Sequence, residues 1–174
     1  MSLIVQDDSG TAVNANSYVS VAEFKAYHVD RATEYDTVLD DDGAISAALI
    51  KATDYVDQRF NFIGRRQQGR QQTTEWPRIN AWDRGRYYIN GVPAEIKEAV
   101  CEYALKAAQS TLNPDPTLST TGAAIQSKTE TVGPITESTT YVSGAAFTMP
   151  RYPVADQKII KSGLTISGGD VWRG

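Results

Sequence analysis

The sequence predicts a mainly α-helical fold, a small helical bundle with a β-hairpin arm and a flexible C-terminal tail. In two stretches of the 174-residue chain, apolar residues recur at intervals of three and four, which is the period of a helix buried on one side. From Leu118 onward the composition changes to threonine, serine and glycine, which favours strands and loops. We therefore expect a helical core domain over residues 1–116, and a hairpin arm, a short helix and a flexible tail over residues 117–174.

Two helices are expected in the first third of the chain. Ser20 and Glu23 have the spacing of a capping box, which predicts a helix from Val21 to about His28. A second helix is predicted from about Ala44 to Phe60, after an acidic loop that favours a helix N-terminus. The residues of its buried stripe are Ile45, Leu49, Ala52, Val56 and Phe60.

A third long helix and a hairpin follow. The helix is predicted from Ala94 to Ser110, because Pro93 occupies the position of a first helical residue. Residues 125–132 and 135–142 alternate partially around Gly133-Pro134, as the two strands of a hairpin do. This hairpin has too few large apolar residues to be stable alone, so we expect it to need a neighbour.

The C-terminal end is predicted to be a short helical turn and a tail. The turn covers Asp156 to Ser162 and is closed by Gly163. Residues 165–174 are rich in glycine and are expected to be mobile until a partner binds them. Trp172 and Arg173 near the end are of the types most enriched in interface hot spots, so they are candidate anchors on a partner.

Composition excludes several classes of function. No apolar run is long enough to span a membrane, and residues 1–20 lack the basic start and apolar stretch of a signal peptide. We therefore expect a soluble protein made inside a cell. Cys101 is the only cysteine and His28 the only histidine, so neither an internal disulfide nor a zinc cluster is expected.

Carboxylates give no clear catalytic site either. Asp54 and Asp57 share one side of the second predicted helix, but Lys51 and Arg59 flank them, which favours surface ion pairs. No phosphate loop, dinucleotide fingerprint or nucleophile elbow is present. We therefore expect a protein that is not an enzyme, with no catalytic residues, no cofactor and no metal.

Charge is distributed unevenly along the chain. The net charge is −4, with −8 in residues 1–58, +5 in residues 59–92 and −1 in residues 93–174. Opposite charges in neighbouring segments suggest contact between the segments, or between one copy of the chain and the next.

The basic segment contains a long loop, residues 61–92, without a clear period. Its arginines could follow a phosphate backbone while its tryptophans stack on bases. Arginine is also frequent at protein interfaces, and Trp76-Pro77 could instead be a core plug, so we favour an interface or pairing within the domain over nucleic-acid binding. The candidate residues facing DNA or an interface are Arg65, Arg66, Arg70, Trp76 and Trp82.

The order of several short motifs resembles a family of tailed-phage structural proteins, the head–tail connector (adaptor) proteins. The matching segments are NSYVSVAE at 16–23, AALIKATDYVD at 47–57, WPR at 76–78, VPAEIK at 92–97, SK at 127–128, VGPI at 132–135 and YP at 152–153. They extend the resemblance from about residue 14 to residue 174. Some similar sequences are labelled DnaT-like single-strand DNA-binding proteins, which gives the rival interpretation.

The resemblance implies a structural virion protein of the neck between head and tail, assembled in the host cytoplasm. It implies a ring of copies, commonly a dodecamer, that sits on the portal protein and receives a tail-side connector or tail-terminator protein. Trp172 and Arg173 would then contact the portal, and non-specific contact with packaged DNA is possible. The alternative is a single-strand DNA-binding module that uses the arginine-rich loop, and a third, weaker one is a small host regulatory protein.

Overall fold

The computed structural model describes residues 2–114 and 151–166, and between them only the backbone of residues 125–127 and 140–141. The helices in these residues are α1 (Val21–Asp30), α2 (Asp42–Arg59), α3 (Ala94–Gln109) and α4 (Pro153–Ser162), with a 3₁₀ turn at Gly69–Gln71. Two antiparallel strand pairs accompany them, β1 (Arg65–Arg66) with β2 (Arg78–Ile79) and β3 (Ile125–Ser127) with β4 (Thr140–Tyr141). The prediction of a mainly α-helical fold with a hairpin is confirmed.

Both predicted N-terminal helix starts are stabilised by side chains. The Ser20 hydroxyl accepts the backbone N–H of Glu23 at 3.2 Å, and the Glu23 carboxylate accepts the N–H of Ser20 at 2.8 Å, which completes the capping box. The Asp41 carboxylate accepts the N–H groups of Gly43 and Ala44. Because Asp41 caps the helix, α2 begins two residues before the predicted start.

One compact unit contains the described residues 2–112 and 151–166. Its core lies where α3 packs between α2 and α4, and its largest fully buried side chains include Trp76, Tyr18, Tyr103 and Phe24. None of the described helices is both long and apolar enough to cross a membrane.

The position of α4 differs from the sequence prediction, which placed it with the hairpin arm and tail. The helix begins three residues earlier, at Pro153, and packs on α3 within the helical unit. Asp156 of α4 accepts a hydrogen bond from the Tyr103 hydroxyl and pairs with the Arg59 guanidinium at 2.9 Å. This polar contact links α4 to α2 and α3. The buried side chains of Ala155 and Ile159 also hold α4 against the core.

The start of the predicted mobile tail is held by backbone pairing. Thr165 forms an antiparallel bridge with Phe62, and the N–H of Ile166 donates to the carbonyl of Asn61 at 2.9 Å. Residues 165 and 166 are therefore part of the helical unit. The remainder of the tail, including Trp172 and Arg173, lies outside the described residues.

The second compact unit lies within residues 113–150. Its strands pair Ile125 with Tyr141 and Ser127 with Thr140, and the register shifts between these two pairs. The predicted strands 125–132 and 135–142 meet in this pairing, and the predicted turn at Gly133-Pro134 lies outside the described residues.

Candidate nucleic-acid interface

The segment 61–92, expected to be one irregular loop, contains two consecutive hairpins. In the first, β1 and β2 pair Arg65 with Ile79 and Arg66 with Arg78, and they enclose the 3₁₀ turn. In the second, the N–H of Ile89 donates to the carbonyl of Ala81 at 3.0 Å, and Trp82 forms an antiparallel bridge with Tyr88. We call residues 65–79 the first hairpin and residues 81–89 the aromatic–arginine loop.

Two arginines of the first hairpin are held by one carboxylate. Both Arg66 and Arg78 donate to the Glu75 side chain. The Arg78 guanidinium also donates to the backbone carbonyls of Ile63 at 2.7 Å and Gly64 at 2.9 Å. These bonds hold the first hairpin to the residues that follow α2. The guanidinium groups of Arg66 and Arg78 therefore have structural partners within the protein.

The prediction that Trp76 faces DNA or an interface is wrong, and the alternative, that it plugs the core, is confirmed. Its side chain is 0% exposed, and its ring lies edge-on to Phe62 with the centroids 5.7 Å apart. Its backbone N–H donates to the Tyr18 hydroxyl at 3.0 Å. A large apolar side chain that fills the core cannot stack on a base without unfolding its surroundings.

A carboxylate on α2 anchors the first hairpin. Asp57 accepts the Tyr18 hydroxyl at 2.6 Å and the backbone N–H of Glu75 at 3.0 Å. Burial raises the pKa of Asp57 to about 7. The sequence had assigned Asp57 to surface ion pairs with Lys51 or Arg59, whereas it bonds to Tyr18 and to the hairpin instead.

Two of the predicted arginines remain at the surface. Arg65 and Arg70 are exposed, and neither forms an ion pair with a residue in the described parts of the chain. Their guanidinium groups can therefore meet an anion from solution.

The aromatic–arginine loop presents large rings to solvent. Trp82 is 49% exposed, Tyr88 53% and Tyr87 75%. The Trp82 and Tyr88 rings contact each other edge-on with centroids 5.8 Å apart. Arg84 and Arg86 lie in the same loop and are also exposed. Of these exposed side chains, only Trp82 was predicted as a candidate, although the run RGRYY at 84–88 is a visible signal for the others.

Backbone hydrogen bonds fix the shape of this loop. The Asp83 carboxylate accepts the N–H of Tyr87 at 2.8 Å, and the Asp83 carbonyl accepts the N–H of Arg86 at 3.0 Å. The N–H of Arg84 donates to the carbonyl of Ser162 at the end of α4, at 3.2 Å. The rings are therefore displayed on a loop that is both closed internally and attached to a helix.

The two residues weighed as metal ligands or nucleophiles are in the core. His28 is fully buried, and its Nε2 lies 3.3 Å from the carbonyl of Cys101. Cys101 is 2% exposed, and burial raises the pKa of its thiol to about 12. Such a thiol remains protonated at neutral pH and is a poor nucleophile.

Comparison with known proteins gives one match. A family model described as "Putative DnaT-like ssDNA binding protein" covers residues 1–171. The chain belongs to this family. No curated protein and no solved structure matches it. The family description therefore agrees with the DnaT-like label, which the sequence offered as the alternative interpretation. The head–tail connector interpretation remains a prediction.

Proposed function

We propose that this DnaT-like chain binds single-stranded DNA, without preference for sequence, through the aromatic–arginine loop. The observation that carries the proposal is the exposure of Trp82, Tyr87 and Tyr88 beside Arg84 and Arg86 on an anchored hairpin. The family description supports it.

The chemistry of such a loop suits unpaired bases. Every base has a π-face, so stacking on an aromatic side chain is tolerant of sequence and contributes about 1–3 kcal/mol per base. Arg84 and Arg86 can pair with the phosphates between the stacked bases. Because Asp83 and Ser162 fix the loop before binding, little ordering entropy is lost when a strand docks.

The charge of the whole chain limits the affinity. The basic segment 59–92 carries +5 on a protein of net charge −4, so attraction is local. Binding should weaken steeply as salt increases, since it releases counterions from the strand.

Fluorescence anisotropy with a labelled oligothymidine at low salt tests the proposal. Trp82→Leu keeps apolar volume and removes the π-system, so it should lower the affinity about tenfold, which is what 1.4 kcal/mol of lost stacking gives. Trp82→Phe is the matched control, because it keeps a ring, and it should retain most of the affinity. Equal affinities for both variants and the wild type, or equal competition by a duplex of the same length, would contradict the proposal.

A second candidate, the head–tail connector ring, is favoured by the position of charge along α2. The helix has 18 residues and is about 27 Å long. The exposed Asp40, Asp41 and Asp42 lie at its N-terminal end, and the exposed Arg65 and Arg70 follow its C-terminal end. Opposite charges in the segments before and after α2 suit head-to-tail contact between copies, which closes into a ring when the rotation allows.

Charge reversal distinguishes this candidate from the first. Asp40→Lys alone or Arg65→Glu alone should abolish ring formation in sedimentation velocity, and a mixture of the two variants should restore mixed contacts. Asp41 is left unchanged because it caps α2. Co-sedimentation with a portal ring tests the partner, and a chain that stays monomeric with the portal present would rule out the connector interpretation.

A further inference from the structure

A shallow, open groove of about 550 Å³ lies against one side of α4 and the first turn of α3. It is lined by Glu95, Val154, Gln157, Lys158, Lys161 and Ser162. Residues 154, 157, 158 and 161 are three or four apart, so they form one stripe on the helix. We call this feature the α4 groove.

The α4 groove ends where the aromatic–arginine loop is attached. Its last lining residue, Ser162, accepts the backbone N–H of Arg84 at 3.2 Å. The next residue, Gly163, has φ of +78°, and a Cβ at this position would lie 3.0 Å from the Cβ of Arg84. The loop therefore sits directly against the end of α4, and its Arg84 lies beside Gly163, two residues after Lys161 in the chain.

The charges of the groove have opposite signs on its two sides. Lys161 is exposed and forms no ion pair with any residue in the described ranges, whereas Lys158 pairs with Glu98. Lys161 lies in the last turn of α4, where its charge offsets the negative end of the helix dipole. Glu95, in the first turn of α3, lines the other side and opposes the entry of an anion.

We propose that the α4 groove holds the phosphate backbone of the same single strand whose bases stack on the aromatic–arginine loop. Lys161 binds a phosphate, Arg84 binds the next part of the backbone, and Glu95 weakens the interaction. Val154, which is 64% exposed, offers an apolar contact for a sugar. This inference rests on the proposed single-strand binding and extends its site from the loop to α4.

Two substitutions at the groove should change the affinity in opposite directions. Lys161→Gln removes a cation, so it should weaken oligothymidine binding several-fold at low salt. Glu95→Gln removes the opposing carboxylate and should strengthen binding. If Lys161 makes one phosphate contact, the slope of log affinity against log salt should become shallower by about 0.7 in Lys161→Gln.

Matched controls use exposed residues of the same types away from the groove. Lys106→Gln in the last turn of α3 and Glu34→Gln in the α1–α2 connection should leave both affinity and salt slope unchanged. Thermal melting checks that each variant is folded.

The outcomes separate this inference from the proposal on which it rests. Trp82→Leu could lose binding while Lys161→Gln and Glu95→Gln bind like the wild type. That result would contradict a role for the α4 groove and leave the loop as the binding site. Equal changes in Lys161→Gln and Lys106→Gln would show general charge attraction and would also overturn it. Absence of oligothymidine binding in the wild-type protein would overturn both.

Discussion

The first hairpin and the aromatic–arginine loop follow each other in the chain and both contain arginines and a tryptophan, but their surroundings are opposite. In the first hairpin, Glu75 binds two arginines and Trp76 fills the core. In the loop, the Asp83 carboxylate accepts the backbone N–H of Tyr87 and pairs with no arginine in the described residues, and Trp82 remains half exposed. Residue type therefore does not decide whether a tryptophan or an arginine is structural. The arginines of the first hairpin are held by a carboxylate, and its tryptophan is held by the aromatic residues around it.

The largest expected difference between the two hairpins is in stability. Trp76→Ala should lower the free energy of unfolding by about 3–5 kcal/mol, because it empties a fully buried site. Trp82→Ala should change it by less than about 0.5 kcal/mol, as exposed substitutions usually do. Urea denaturation of both variants measures the two values, and similar losses would contradict the contrast.

A smaller effect is expected from the carboxylate that holds the first hairpin. Glu75→Gln keeps the size of the side chain but leaves Arg66 and Arg78 without a charged partner, which should cost about 2–3 kcal/mol. The value is below that of a fully buried pair, because the Arg66 side chain is 38% exposed. Asp83→Asn, the equivalent change in the loop, should cost less in the same urea titration, and a reversed order would contradict this account.

A pH-dependent effect is expected from Asp57, which accepts a backbone N–H of the same first hairpin. In the unfolded chain the pKa of Asp57 should be near its ordinary value of 3.8, whereas in the folded protein it is raised to about 7. Between these values the folded state binds more protons, so the contribution of Asp57 makes the protein less stable as pH rises.

Asp57→Asn should remove this dependence. Relative to the variant, the wild type should lose stability as pH rises from about 3.8 to about 7, the interval between the two pKa values, and the difference should level off above it. The exposed Asp40→Asn serves as the control and should follow the wild type at every pH. If the difference in free energy of unfolding between the wild type and Asp57→Asn stays the same at every pH, the pKa of Asp57 is not raised in the folded protein.

The sequence predicts the local features of the fold well. The capping box at Ser20 and the apolar stripe of α2 need only residues that are close in the chain, and both are present. The burial of Trp76 depends on Tyr18, which is 58 residues away, and the pairing of α4 depends on Arg59, which is 97 residues from Asp156. Such contacts leave no periodic signal, so the sequence left Trp76 between a surface and a core position and placed α4 with the hairpin arm.

The residues of the candidate site were predicted only in part, because the contacts that bury or expose them also join distant parts of the chain. Arg65, Arg70 and Trp82 were expected at a surface and are exposed, whereas Trp76 is in the core and Arg66 pairs with Glu75. Tyr87, Arg84 and Arg86 were not predicted, although the run RGRYY contains them, and the attachment of their loop to α4 could not be predicted from the sequence.

The bridge between Thr165 and Phe62 also determines how the helical unit would respond to a mechanical load. A pull on the chain beyond residue 166 acts first on the bond from the Ile166 N–H to the Asn61 carbonyl, before it reaches α4. Asn61 comes two residues after the end of α2, so the load passes directly to the longest described helix. A partner that holds the C-terminal end would thus be coupled to the core through these few backbone bonds, and α4 would carry force only after they break.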